Sequence, residues 1–341
     1  MIDLRSDTVT KPTAAMREAI AKAEVGDDVF DEDPTIHRLQ ERVASILGKE
    51  EALLVPSGTM ANTVSVLTHT ARGDEVIVEE GCHVFNYESA SSATFGSVQI
   101  RTIPTREGWF TAADVEARIR PVNLHHPPTR LVCMENTHNR AGGTIFPIGD
   151  MKEIGALCRE RGIKAHLDGA RLWNASAASG VPMAEYAECV DSVSVCLSKG
   201  LGAPVGSLVA GTAGFIARAR KTRKMLGGGM RQAGVLAAAG LHALEHHVER
   251  LADDHENARR IAETLASIPG IRLDAAKVVT NIVIADVGGH PLGEAGITAR
   301  LAKEGVLFLA IGPGRLRLVT HLDVSKEQAE EACRLFVKCL S

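Results

Sequence analysis

The sequence predicts an α/β protein: a large domain built on a mostly parallel sheet, followed by a smaller α+β domain. Three observations predict it. Short strand-like runs alternate with segments of helical character through the first two thirds of the chain. Several of those runs are almost continuously apolar, as strands covered on both faces are. The last third changes character, with a long Ala-, Leu-, Glu- and Arg-rich stretch ahead of two strand-like segments and a closing helix.

Taken in order, the strand-like runs are residues 75–78 (EVIV), 99–103 (QIRTI), 130–134 (RLVCM), 164–167 (KAHL), 192–196 (SVSVC) and 207–210 (SLVA). Asp33-Pro34 opens a helix reaching Leu47, with Asp as N-cap and Pro at the first helical position. Gly48 closes it. A further helix is expected from Thr59 to Thr70, stopped by Arg72-Gly73-Asp74. Residues 230–267 read as one long helical stretch, with strands at 280–286 and 315–319 and a last helix over 325–340. The large domain is expected to cover 1–245 and the small one 246–341, with no internal repeat and no low-complexity linker.

Composition narrows the function classes. The 341 residues carry 38 basic and 42 acidic side chains, a net charge of −4, so no cationic excess is available for a nucleic-acid backbone. No apolar run approaches the roughly 18 residues that span a bilayer. The N-terminal MIDLRSDTVTKP has no apolar core of the kind a secretory signal needs. Seven cysteines form an odd set without a C-x-x-C, mostly inside apolar segments, as buried free thiols do. A soluble, reduced, cytoplasmic protein with neither membrane nor nucleic-acid partners is the expectation.

The strongest local signal is SVSVCLSKGLGAPVGSLVAG (192–211). A strand ends near Ser198-Lys199 and glycines follow, so Lys199 is set at the mouth of a buried strand where an amine suits carbonyl chemistry. Taken alone, S-K-G is more often a surface lysine in a turn. HLDGARLW (166–173) changes the balance, because Asp168 also ends an apolar strand and reaches the edge where open α/β sheets bind ligands. Asp168 could equally cap the segment after it. The third part is PSGTMANTVSVL (56–67), where the backbone N–H groups of Gly58 and Thr59 open a helix and form a phosphate site. Phosphate turn, aspartate and lysine in this order are what pyridoxal 5′-phosphate requires: the aspartate holds its ring nitrogen protonated, and the lysine carries its aldehyde as an imine.

With these segments in view, the chain resembles the L-threonine aldolases, enzymes of the aspartate-aminotransferase fold, fold type I. The resemblance covers nearly the whole chain. It rests on DLRSDTVTKP (3–12), VGDDVF-DEDP (25–34), PSGTMAN (56–62), His83 ahead of Glu88, ENTHNRAGG (135–143), HLDGARL (166–172), CLSKGLGAPVGS (196–207), RKMLGGGMRQ (223–232) and RLVTHLDVS (317–325). It implies reversible cleavage of L-threonine and L-allo-threonine to glycine and acetaldehyde. It also implies pyridoxal phosphate covalently on Lys199, with Asp168 at the ring nitrogen, Gly58 and Thr59 on the phosphate, and His83 stacked on the ring. Arg171 and Arg317 correspond to the arginines near the substrate carboxylate, and Ser6 to a serine that closes over the substrate. Lys224 and Arg231 correspond to residues lent by the neighbouring subunit, which implies a homo-oligomer, a dimer-built site and expected tetramer.

His83 and His125 are the candidate bases for the β-hydroxyl proton, and Lys224 with Tyr87 could order a relaying water instead. The family's Asp-Ile-His ahead of ENTH is here Val122-Asn123-Leu124-His125-His126-Pro127, without the aspartate. No metal is expected: His242 and His246 have i, i+4 spacing but no HExxH glutamate, and the acidic run from Asp27 to Asp33 reads as loop order and a helix cap. Two other readings share parts of these motifs. An aminotransferase or β-eliminating lyase would break the Cα–H bond instead, and a non-catalytic scaffold would have lost Lys199.

Overall fold

Twelve strands build three sheets in the computed structural model, which describes all 341 residues. They are β1 (Ile2–Asp3), β2 (Glu51–Val55), β3 (Glu75–Glu79), β4 (Gln99–Ile103), β5 (Thr129–Glu135), β6 (Lys164–Gly169), β7 (Ser192–Cys196), β8 (Ser207–Gly211), β9 (Ile282–Asp286), β10 (Val306–Leu307), β11 (Leu309–Gly312) and β12 (Arg315–Val319). The main sheet has seven strands in the order β2-β8-β7-β6-β5-β3-β4. β4, β3, β5, β6 and β7 pair in parallel. β8 lies antiparallel between β7 and β2, so β2 points the same way as the parallel strands. Every residue of β3, β7 and β8 is buried, as in strands covered on both faces, and the glutamates of β3 and the serines of β7 are buried with them. The α/β class and mostly parallel sheet match the expectation from the sequence.

Helix termini follow local chemistry. Asp33 caps the helix Pro34–Leu47, its Oδ1 accepting from the N–H groups of Thr35 (3.1 Å) and Ile36 (3.0 Å). Gly48 ends that helix with φ of +61°, a left-handed turn that costs glycine nothing. The helix after β2 is Gly58–His69, with Ser57 as N-cap. The expected single stretch over 230–267 is two helices, Gly234–His246 and Leu251–Ala266. The break follows a tertiary contact: His247 Nδ1 bonds the carbonyl of Leu201 at 2.7 Å, tying this corner to the loop after Lys199.

Two principal apolar cores result. One draws its residues from Met16 to Leu251, around the main sheet. The other joins Ile2 and Leu4 to residues between Ala258 and Leu340. Here the antiparallel β11-β12-β9 sheet packs with the helices Leu251–Ala266 and Lys326–Leu340. β1 pairs in parallel with β10, and Leu4 accepts a hydrogen bond from Val319 N at 2.8 Å. The N-terminal segment therefore leaves the second core and runs across to the main sheet. No helix is long and apolar enough to cross a membrane.

Candidate active site

Parallel strands deliver their last residues to one edge of the sheet, and register aligns them there. Glu135 at the end of β5 pairs with Asp168 near the end of β6, and Asp168 with Ser194 of β7. β7 and β8 are joined by residues 197–206, which carry Lys199 over this edge. That connection is held by Leu197 N to Gly206 O (3.0 Å), Ala203 N to Leu197 O (3.1 Å) and Gly202 N to Lys199 O (2.8 Å). Thr10 Oγ1 also donates to the Lys199 carbonyl, at 3.1 Å, so the N-terminal segment fastens the lysine's own backbone. The Lys199 side chain is half-buried.

Asp168 is 2% exposed and set in a frame of polar side chains. Asn62 Nδ2 donates to Asp168 Oδ2 and to Glu88 Oε1, each at 2.7 Å, and Ala170 N donates to Asp168 Oδ1 at 3.1 Å. His83 Nδ1 lies 2.9 Å from the same Glu88 Oε1. A ring nitrogen of His83 and a carboxylate oxygen each of Glu88 and Asp168 lie within 4.8 Å of one another. Burial works against protonated His83, yet its bond to Glu88 and the charges of Asp168 and Glu88 raise its pKa above the usual imidazole value. Burial pushes Glu88 upward as well, partly countered by His83 and Asn62. Glu88 Oε2 is buried without a partner.

At the adjoining helix, the N–H groups of Gly58 and Thr59 precede the first intrahelical bonds. Met60 N donates to Ser57 Oγ (3.1 Å) and Ala61 N to Ser57 O (3.0 Å), which leaves the two N–H groups ahead of them directed outward. A side chain on Gly58 would strike Cys196 Sγ at 2.9 Å, so only glycine lets the turn sit this close to β7. A cavity of about 440 Å³ opens beside the turn, lined by Ser57, Thr59, Met60, Tyr87, Glu88 and Ser91 among others. Tyr87 stands next to His83, with 5.6 Å between ring centroids.

Opposite, arginines gather. Arg171 gives Nε and Nη2 to the two oxygens of Asp7, each at 2.7 Å, and both side chains are buried. Arg317 donates from Nη1 to Asn139 Oδ1 (2.9 Å) and from Nη2 to the Arg5 carbonyl (3.2 Å), while its Nε is buried and unpartnered. Burial and the nearby Arg171 charge lower its pKa, which leaves a guanidinium charged. Glu135 ties this side to His83: its Oε2 accepts from His83 N (2.6 Å) and its Oε1 from Asn139 N (2.9 Å). Ser6 caps the short turn Asp7–Val9, its Oγ accepting from Thr8 N at 3.2 Å.

Lys199, Asp168, Gly58, Thr59, His83, Arg171, Arg317 and Ser6 are thus carried by elements that meet at this edge. His125 is not brought there within one chain. It is exposed in the loop ahead of β5, and the six steps from Thr129 to Glu135 put about 20 Å of strand between that loop and the site edge. Within one chain His125 therefore stands apart from His83, and a role for it as base would need a site shared with a neighbouring subunit. Lys224, in the last turn of the helix Ala213–Met225, lines a separate basic cleft with Arg220, Lys221 and Arg223. Arg231 is exposed and pairs with Asp27 at 2.9 Å.

Sequence reasoning missed Asp7, Asn62, Glu135 and His138, and left Glu88 without a role. His138 is buried with Nε2 at 2.8 Å from Glu79 Oε2, and Ala141 N donates to its Nδ1 at 3.1 Å. Burial alone would depress it, but the charge of Glu135 and the bond to Glu79 raise its pKa. The signal available was their position inside DLRSDTVTKP, PSGTMAN and ENTHNRAGG.

Comparison with known proteins adds an independent line. Residues 3–287 match the model of the β-eliminating lyase family. The low-specificity L-threonine aldolase 1 of Arabidopsis thaliana is 44% identical over 344 residues, covering 99% of this chain and 96% of the relative. The low specificity L-threonine aldolase of Escherichia coli K12 is 44% identical over 332 residues, 97% of each. Among solved structures, the threonine aldolase of Leishmania major superposes with a TM-score of 0.84 over the full length of both chains at 19% identity, a likeness of fold.

Proposed function

This chain belongs to the low-specificity L-threonine aldolases of the β-eliminating lyase family, and from that premise we propose how its residues carry the reaction. The protein is a carbon–carbon lyase that cleaves L-threonine and related L-β-hydroxy-α-amino acids reversibly to glycine and an aldehyde. The observation that carries the residue assignment is the convergence of Lys199, the Asp168 frame and the free N–H groups of Gly58 and Thr59 on one sheet edge.

Pyridoxal 5′-phosphate fits these residues. The outward N–H groups at a glycine-only turn suit its phosphate, and the buried carboxylate of Asp168 suits its ring nitrogen. Gly58 and Thr59 would hold the phosphate, Asp168 the ring nitrogen, His83 the ring face and the Lys199 amine the aldehyde carbon. Arg231 would reach it from a neighbouring subunit, in a dimer-built homo-oligomer, and Arg171 would lie close by. When bound, the group supplies an electron sink for the pair released as the Cα–Cβ bond breaks.

The chain's own residues do the rest. Arg317 takes the substrate carboxylate, because its partners Asn139 and the Arg5 carbonyl are neutral and leave its charge uncompensated, while Arg171 is already paired with Asp7. Arg171 adds charge beside it, and Ser6 closes from the N-terminal segment. Held by its carboxylate, the substrate presents the bond to be broken rather than Cα–H. His83 receives the β-hydroxyl proton at Nε2, since Nδ1–H is committed to Glu88. Lys224, lent by a neighbouring subunit, and Tyr87 order a water as the alternative relay. The division into a large unit, 1–245, and a small one, 246–341, belongs to the same reading and is supported by the two separate cores, apart from Ile2 and Leu4, which join the second, and Leu251, which joins the first.

The test is borohydride reduction of the purified protein. A visible absorption band should disappear, and mass spectrometry should find the reduced cofactor on the peptide containing Lys199. Untreated enzyme should release acetaldehyde and glycine in equal amounts from L-threonine. A colourless protein indifferent to added pyridoxal phosphate overturns the cofactor assignment. Transamination of L-threonine outpacing its cleavage overturns the reaction.

A further inference from the structure

Between the helix Gly58–His69 and the sheet lies a seam of buried polar groups that leads away from the cavity. Asn62 and His69 stand seven residues apart on the helix, two turns and hence one face. His166 and Asp168 share a face of β6, and Ser192 and Ser194 a face of β7, with His166 beside Ser192 in register. Asn62 Oδ1 meets Ser194 Oγ at 3.0 Å and His166 Nε2 at 3.2 Å. His166 Nδ1 lies 2.9 Å from Ser192 Oγ, which lies 2.7 Å from His69 Nε2. His166 and Ser192 are wholly buried, and Asn62 and Ser194 are 2% exposed.

We propose that His166, backed by Ser192 and His69, is a positioning residue that fixes the Asn62 amide so that Asp168 and Glu88 each receive one of its N–H groups. The hydrogen inventory leaves little choice. Asn62 faces two carboxylate oxygens at 2.7 Å, which only its NH₂ can satisfy. Its Oδ1 must then accept, so His166 carries its proton on Nε2. The bare His166 Nδ1 accepts from the Ser192 hydroxyl, whose oxygen accepts from His69 Nε2–H. Every donor along the seam points toward Asp168. Burial holds both histidines neutral, His166 at a pKa of about 4 and His69 at about 3, so each keeps one proton and one direction. An Asn62 turned end for end would set its carbonyl against two carboxylates, leaving Asp168 held only by Ala170 N and Glu88 only by His83.

This inference rests on the proposed role of Asp168 but is tested apart from it. Histidine-labelled full-length protein is examined by long-range 1H–15N NMR, with His69→Gln and His166→Gln providing the assignments. Both rings should be neutral with the proton on Nε2 across pH 6–8. A proton on His166 Nδ1, or a doubly protonated ring, overturns the proposal even if the enzyme is fully active. The variants supply a second reading. His166→Leu keeps bulk without a donor and should lose roughly 10- to 100-fold in kcat/KM, with weaker retention of pyridoxal phosphate on dialysis. His166→Gln keeps an amide donor within reach of Asn62 Oδ1 and should recover most of both. If the leucine variant fails to fold, the NMR and the glutamine variant still decide. Equal impairment of the two variants, or none in a folded leucine variant, sinks it. Failure of borohydride to trap Lys199 would defeat the proposed function instead and leave the ring protonation intact.

Discussion

Asp7 closes on Arg171 across 164 residues of sequence, oxygen to Nε and oxygen to Nη2 at 2.7 Å each, with both groups buried. Asn281 Nδ2 adds a third contact to Asp7 at 3.2 Å. The pair joins the N-terminal segment, the strand-end turn of β6 and the second core at a single point. It also decides which arginine is free for an anionic substrate.

Asp7→Asn should therefore destabilise the fold by about 3–5 kcal/mol, because it strands a buried guanidinium without a counter-charge. Denaturant unfolding checks this. Burial pushes Asp7 up, but the charge and hydrogen bonds of Arg171 overcome it and hold Asp7 at about 2, below the ordinary 3.8. A depressed carboxylate stabilises fully above its unfolded value, and that stability is lost as pH falls from near 4 toward 2. The acid limb of wild type between those values should be shallower in the variant.

Glu88→Gln should move the pH profile of cleavage. His83 can accept a proton only when neutral, and burial notwithstanding, Glu88 and Asp168 raise its pKa. Cleavage should rise with pH through a midpoint above the ordinary imidazole value in wild type. Removing the Glu88 charge should shift that midpoint to lower pH. An unmoved acid limb in kcat/KM would take His83 out of the base role.

Arg317→Lys keeps the charge and loses the planar fork. A charge-assisted bond of this kind is worth about 1.5–3 kcal/mol, so kcat/KM for L-threonine should fall ~10- to 100-fold. Orientation should suffer with affinity, and slow transamination of alanine, seen as pyridoxamine phosphate, should grow as cleavage declines. Unchanged cleavage would mean that another group binds the carboxylate.

Mixing Lys199→Ala chains with Arg231→Ala chains should restore activity that neither has alone, since a shared site regains one intact copy. Analytical ultracentrifugation should find at least a dimer. Full activity in a verified monomer would defeat the arrangement.

What was legible in the sequence was local. Strand runs at 99–103, 192–196 and 315–319 coincide with β4, β7 and β12, and the Asp33–Gly48 helix begins and ends as its caps dictate. Lys199, Asp168 and the Gly58 turn announced themselves because each follows a strand and sits in a special backbone setting. The polar framework was hidden for the opposite reason. Asn62 reads as one more residue in a helix until Glu88 and Asp168, 26 and 106 residues away, arrive beside it. Asp7 has no visible purpose until Arg171 does. The place of His125, at the far end of β5 from the site edge of its own chain, was not legible because distance along a chain does not say which end of a strand a residue occupies. The break at 247–250 depends on a contact with Leu201 that composition does not encode.

The seam beneath the helix Gly58–His69 has a mechanical consequence. Apolar side chains tolerate sliding against one another, whereas four directed hydrogen bonds admit one register only. Rotating this helix by a single residue, about 100°, would break the contacts of Asn62 and His69 together. Gly58 and Asn62 are four residues apart, about 6 Å of rise. The helix so becomes a ruler, clamped at its graduations to β6 and β7, that sets the phosphate turn at a constant height above Asp168.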